Sequence, residues 1–442
     1  MSLLPAFDEP LRPQYHFTAE KGWLNDPNGL VYFNGEYHLF FQYNPFGTEW
    51  GNMTWGHAVS KDLLHWSQLP NAVEPDALGT IFSGSAVVDR ANTSGFGAKG
   101  KPPVVLIYTA AGGTNDASKG QSFSQCLAYT TDGRMFTKFA GNPAIPHIEG
   151  ENRDPKVFWH AETRSWVLAL YLDGDRYAIF RSPDLKKWIR SGDVTMPGSS
   201  ECPDFFELGV GGKKYWVFWS ANGRYRLGTF DGYKFTPTTE PLESNFGANC
   251  YADQTYDSAP GGRRIQFGWM RDGHYPGMPF NQQMTIPREL TLRSTPEGPR
   301  LSVMPVRELT SLRSRSIFSG PVDVVEPRRI LTGTDLLEVR ATIRRDRSAS
   351  LKFGEASVSY DAGTHTVHCQ GGSARVAPAG KTLDLIVYLD RTTVEVFADH
   401  GLVSMPFCFV PKAPPSELVV ASGADGAAFE KLEVWELKSA RM

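Results

Sequence analysis

Cysteine is scarce in this chain: five thiols in 442 residues, Cys126, Cys202, Cys250, Cys369 and Cys408. They are widely spaced, odd in number and form no C-x-x-C pair. That excludes a disulfide scaffold and a Cys-rich zinc site and leaves free, mostly buried thiols. No apolar run approaches the roughly 18 residues that a membrane-spanning helix needs. An excess of charge of one sign is missing too. Lys and Arg number 45 against 48 Asp and Glu, a net charge of -3 without a basic block, so nucleic acid and membrane are not expected as partners. The opening Met1-Ser2-Leu3-Leu4-Pro5 has neither the basic start nor the apolar stretch of a secretory signal. Long helical periods are also few.

Turn formers and aromatics are plentiful instead. Gly (43) and Pro (31) together make up about a sixth of the chain, above the usual roughly one-eighth, which points to many short strands. Three segments can be laid over one another. Asn25-Asp26-Pro27-Asn28-Gly29 leads into apolar 30–33, an Asn34-Gly35 turn and apolar 37–41. Arg153-Asp154-Pro155 leads into 157–159, a turn at 162–164 and 166–170. Cys202-Pro203-Asp204 leads into 205–208, a Gly211-Gly212 turn and 215–219. Asn-Gly and Gly-Gly are strong two-residue hairpin turns. A second element recurs beside them: Ser60-Lys61-Asp62-Leu63-Leu64-His65-Trp66 resembles Ser182-Pro183-Asp184-Leu185-Lys186-Lys187-Trp188, with looser copies at 131–136 and 230–235.

The closing aromatics at 66, 136, 188 and 235 recur every ~50–70 residues, which with about four strands per unit implies a β-propeller. Residues 15–305 have room for five blades. A single Asp-Pro pair is ordinary turn chemistry, but three in register place their acids at one end of a shared channel. Past residue 300 the pattern changes. Val306, Leu309 and Leu312 share a helical face, and alternating stretches at 336–343, 349–353, 383–389, 394–397 and 432–437 suggest an antiparallel sandwich. The expected organisation is all-β: a five-bladed propeller over 1–305, a linker helix over 306–318 and a β-sandwich over 319–442.

Glycoside cleavage needs one carboxylate as nucleophile and one carboxylic acid to protonate the leaving oxygen. The channel ends of the repeats supply Asp26, Asp154, Glu201 and Asp204. Residue types alone do not assign their roles, and Asp204 is as good a candidate as Glu201.

Trp23-Leu24-Asn25-Asp26-Pro27-Asn28-Gly29 resembles the signature of glycoside hydrolase family 32, the invertase, levanase and exo-inulinase family. The stretches Phe82-Ser83-Gly84-Ser85-Ala86, Arg153 to Phe158 and Glu201-Cys202-Pro203-Asp204-Phe205-Phe206 are similar to its other motifs, in the same order. Asp390-Arg391-Thr392-Thr393-Val394-Glu395-Val396-Phe397 resembles part of its sandwich domain. The resemblance implies a propeller followed by a sandwich, with Asp26 as nucleophile, Glu201 as general acid and then base, and Asp154 as stabiliser of the transition state. It also implies sugar contacts from Asn25, Gln42, Ser83 and Arg153. Trp50, Phe82 and Trp269 are expected to pack on the fructose ring, whereas Trp66 and Trp188 read as core. Arg153 is expected to keep its neighbour Asp154 ionised. Cys202 is expected to pack beside the site.

The expected activity is release of terminal fructose from fructans (levan, inulin) and sucrose-like sugars, with no cofactor and no metal, since His57, His65 and His147 lack ligand spacing. The alternatives are a fructosyltransferase using the same acids, a non-catalytic fructan-binding protein, and an inverting arabinan-cleaving propeller. Residues 80–96 look closer to levanases and exo-inulinases than to strict invertases. The polar loop 112–121 is expected at the pocket mouth. A secreted or periplasmic location is expected, its signal absent from this chain. Nothing in the sequence sets an oligomeric state.

Overall fold

Turn chemistry sets the spacing of the strands. Asn34 and Gly35 both adopt positive φ (52° and 84°), the pair that a two-residue hairpin turn requires, and they join strand Gly22–Phe33 to Glu36–Asn44. The recurring Asp element is a capped turn. Asp62 accepts from the backbone N–H groups of Leu64 and His65 (3.0 and 2.9 Å), and Asp184 from those of Lys186 and Lys187 (both 2.9 Å). Asp132 and Asp231 do the same for Arg134 and Met135 and for Tyr233 and Lys234. Such side-chain acceptors satisfy amides that would otherwise lack partners where the chain reverses. The indoles of Trp66 and Trp188 donate to the carbonyls of Leu63 and Leu185, and Trp66 packs edge-on against Phe17 and Phe267.

This computed structural model describes residues 7–98, 100–322, 326–424 and 426–441; residues 1–5, considered above for a secretory signal, lie outside them. Five antiparallel sheets of four or five strands form the blades of a propeller, and two six-stranded sheets form a sandwich. The innermost blade strands are Gly22–Phe33, Thr80–Val88, Arg153–His160, Asp204–Val210 and Tyr251–Thr255. The ring closes where Gly22 and Trp23 pair in parallel with Phe280 and Asn281 from the last blade's loop. Apolar clusters fill the spaces between neighbouring blades, as where Val87, Ile107 and Leu127 meet Val157, Leu168 and Leu170. Gly84 is needed on its inner strand, because a Cβ there would lie 2.0 Å from the carbonyl oxygen of Ile107.

A short 3-10 helix, Arg307–Leu312, leaves the propeller with Leu309 and Leu312 buried. Strand Arg313–Val322 begins at once, inside the span expected for the linker, and pairs with Phe429–Leu437 of the sandwich. Ile386, Tyr388, Phe397 and Leu437 of the sandwich belong to the same apolar cluster as Leu290 and Val303 of the propeller. His16 adds a polar lock, its two ring nitrogens lying 2.8 Å from Asp390 and 2.9 Å from Glu395.

Candidate active site

The inner strands start at the same end of the channel, so residues far apart in sequence meet there. All ten residues singled out above (Asn25, Asp26, Gln42, Trp50, Phe82, Ser83, Arg153, Asp154, Glu201 and Trp269) line one cavity of about 230 Å³, together with Tyr251 and Arg271. Asp26 is held by Ser83 Oγ at 2.5 Å and Asn25 Nδ2 at 3.1 Å. Glu201 accepts from Arg153 Nη2 at 2.7 Å and from the Tyr251 hydroxyl. Asp154 accepts from the backbone N–H of Cys202 at 3.1 Å. Gln42 is buried with its Nε2 free of any partner among the described residues, a donor ready for a ligand hydroxyl. Trp50 is 56 % exposed and meets Phe82 edge-on at 6.0 Å.

The structure places Glu201 and Asp204 differently, with only Glu201 in the lining of the cavity. The residue preceding proline is Asp26 in the first repeat, Asp154 in the second and Cys202 in the third. Asp204, two positions on, points away from the pocket. It is fully buried, 3.1 Å from Lys156 Nζ, and accepts from the backbone N–H of Thr255. Cys202 takes the place of an acid, its Sγ lying 3.5 Å from Asp26 and 3.4 Å from Asp154. Burial and the neighbouring carboxylates raise the pKa of this thiol well above its usual value, so it stays protonated and donates to them.

Three residues at the site adopt left-handed backbone. Asp154, Glu201 and Cys202 sit at φ of 64°, 58° and 38°, a region costing non-glycine residues about 1–2 kcal/mol each. Bonds such as that from the Asp154 N–H to Thr109 Oγ1 (3.0 Å) hold the chain there.

The electrostatics differ from the expectation on one point. Arg153 does not keep Asp154 ionised: burial, helped by the charges of Glu201 and Asp26, pushes Asp154 up to about 7 against the opposing guanidinium. The reason is geometric, since Arg153 gives its hydrogen bond to Glu201 and approaches Asp154 only to 3.9 Å. Burial likewise raises Asp26. For Glu201 burial is outweighed by bonds from Tyr251 and Arg153 and by the charges of Arg153 and Arg271, so its pKa falls below the usual range. The loop 112–121 is a second correction. It contributes nothing to the pocket lining, because Asn115 caps a turn of 3-10 helix there and Thr114 and Asn115 tie it back to Thr80 and Asp76. Of the histidines, His57 stacks on His38 in the interior, His65 bonds Asp62, and His147 is exposed. Among the described residues no group of three or more His, Cys, Asp or Glu side chains could hold a metal ion.

Residues 16–305 match the glycosyl hydrolases family 32 N-terminal domain, and residues 338–436 match the family's C-terminal domain. The chain belongs to glycosyl hydrolase family 32. A levanase of Bacillus subtilis (strain 168) is 36 % identical over 98 % of this chain and 71 % of its own length. An extracellular exo-inulinase of Aspergillus awamori is 30 % identical, over 98 % of this chain and 96 % of its own. The crystal structure of an exo-inulinase from Aspergillus awamori superposes with a TM-score of 0.90 at 29 % identity, covering 98 % of this chain and 99 % of that one. A fructofuranosidase from Schwanniomyces occidentalis, complexed with fructosylnystose, superposes at 0.88 and 26 % identity, covering 99 % and 100 %. This family 32 chain is a glycoside hydrolase of the β-fructofuranosidase kind. Its membership separates it from the arabinan-cleaving propellers, and these relatives do not favour transfer to another sugar or a non-catalytic role.

Two residues that line this cavity were not foreseen, Tyr251 and Arg271. Tyr251 opens the innermost strand of the last blade, so extending the repeat to a fifth copy would have found it. Arg271 follows the strand Arg264–Trp269 in a loop, and no local pattern marks it.

Proposed function

We propose that this hydrolase works by retention and from the chain end, releasing one terminal fructose per encounter from fructans and from sucrose-like sugars. The observation that carries this reading is the meeting of three carboxylates from separate parts of the ring in a pocket of about 230 Å³, smaller than the ~300–1,000 Å³ typical of drug-sized ligand sites. That volume suits one ring and not a polymer segment. Asp26 and Glu201 both line this cavity, so a nucleophile and a proton donor are available in one site.

In this reading the Asp26 carboxylate attacks the anomeric carbon of the fructosyl unit as Glu201 gives its proton to the departing glycosidic oxygen. The product is an ester of Asp26 and a free alcohol. Glu201, now a carboxylate, takes a proton from water, whose oxygen attacks the same carbon and frees Asp26. Asp154 and Gln42 hold ring hydroxyls. Glu201 must be protonated for the first step, and a sugar seated over it supplies the means: excluding water strengthens desolvation and raises its pKa from the low value of the open pocket. Relatives named extracellular support a secreted enzyme, and no described helix is long and apolar enough to cross a membrane.

Chromatography of early products from sucrose, inulin and levan tests the proposal, with Asp26→Ala as control. Free fructose as the first product, absent in the control, supports it. Oligosaccharides as first products would refute end-on action, and no product from any of the three would refute the substrate class.

A further inference from the structure

The polar groups of the pocket fall into two sets. Asn25, Ser83 and Arg153 are engaged with the carboxylates. Arg271 is different. Its side chain is 47 % exposed, against 29 % for Glu201, so it stands outward of the acid at which the leaving oxygen must sit. Its guanidinium lies 4.8 Å over the ring of Tyr251, whose hydroxyl donates to Glu201, and 5.9 Å from the ring of Trp269. Among the described residues it makes no side-chain hydrogen bond; the one carboxylate within 4 Å, Asp272, is 3.8 Å away and 78 % exposed.

Its backbone, by contrast, is held firmly. The Arg271 carbonyl accepts from Asn249 Nδ2 at 2.5 Å, the Arg271 N–H donates to the carbonyl of Trp269 at 2.9 Å, and Asn249 Oδ1 accepts from the N–H of Cys408 in the sandwich at 2.8 Å. A clamped main chain carrying a stacked guanidinium with free donors is preorganised for a polar ligand, because little freedom remains to be lost on binding. Arg fixed on aromatic faces in this way also keeps its planar fork of donors available to hydroxyl oxygens.

We infer that Arg271 determines specificity on the leaving-group side: it donates to hydroxyls of the sugar unit attached to the terminal fructose, with Tyr251 and Trp269 setting its position. This rests on the proposed function, since it needs a substrate whose leaving group is a sugar. Arg271 thereby distinguishes chains and disaccharides from fructosides with small leaving groups, and the sandwich, through Cys408 and Asn249, helps to set where it stands.

Steady-state kinetics on two substrates test this: a fructan trisaccharide, and methyl β-fructofuranoside, whose leaving group is methanol. Arg271→Met is expected to lower the ratio of kcat/KM for the trisaccharide to that for the methyl fructoside at least tenfold, mainly through KM. Arg271→Lys, which keeps a charge and donors, is expected to recover part of that ratio. Equal losses on both substrates would overturn the inference, because Arg271 would then act through Glu201 or the fold. An unchanged ratio in Arg271→Met would overturn it as well. If the unsubstituted enzyme released fructose from neither compound, the proposed function would fall and this inference with it, whereas fructose release with an unchanged ratio would remove this inference alone.

Discussion

In the sandwich every acid buried among the described residues has a cationic partner. Glu338 is gripped by Arg313 at 2.6 Å and by Arg340 at 2.6 Å, Asp399 by Arg345 at 2.5 Å, and Asp390 and Glu395 share His16. The propeller treats its channel acids in two ways. Asp204 and Asp253 are paired with Lys156 and Arg288, as in the sandwich. Asp26 has no cation within 4 Å among the described residues, and Asp154 has only Arg153, at 3.9 Å. An uncompensated buried carboxylate costs stability, so the propeller carries that cost at two of its channel acids while neutralising the others, and the sandwich neutralises every buried acid among the described residues. Of these two acids Asp154 also sits in left-handed backbone, as do Glu201 and Cys202 beside it in the pocket wall.

The largest expected effect breaks the chemistry and leaves the fold. Asp26→Ala should lower turnover by about 10⁴-fold or more, since in the proposed mechanism it removes the atom that forms the covalent bond. Because burial raises the pKa of Asp26, its charged form opposes folding at neutral pH, and Asp26→Asn should melt at a higher temperature than the unsubstituted enzyme. A lower melting temperature for Asp26→Asn would contradict the contrast between the two domains. Glu201→Ala should lose about 10²–10⁴-fold on natural fructosides, through the missing proton, and much less on a fructoside with an activated leaving group. Equal impairment on both would remove Glu201 from the acid role.

The sandwich should show the opposite pattern. Leu432, fully buried between its two sheets, should cost about 2–5 kcal/mol as Leu432→Ala, read by chemical denaturation, with kcat retained below the melting range. The smallest effect concerns the lock between domains. His16 is buried and its two carboxylate partners raise it to about 9 against desolvation. A His raised above its unfolded value of ~6.5 stabilises fully below that pH and loses the contribution as pH climbs through 9. Stability should therefore decline between about pH 6.5 and 9.5, read as a falling melting temperature, and His16→Gln should flatten that slope.

Much of this was legible in advance because it depends on local chemistry repeated in register. The Asp62, Asp132, Asp184 and Asp231 turns each close on amides two and three residues away, so their motif survives in the letters. The two errors came from groups whose behaviour depends on distant neighbours. Arg153 adjoins Asp154 in sequence yet bonds Glu201, 48 residues away. The 112–121 loop has the composition of a mobile rim but is tied to Asp76 and Thr80.

The sequence by itself determined the all-β class, the repeat, and four candidate acids at the channel ends, because hairpin turns, aspartate caps and strand alternation are decided within a few residues. Only the tertiary structure set Asp204 against Lys156 and away from the pocket, put Cys202 between two carboxylates, and brought Tyr251 and Arg271 to the pocket. Those outcomes depend on which side of an inner strand faces the channel and on how the ring closes, and a ring has no signature shorter than itself.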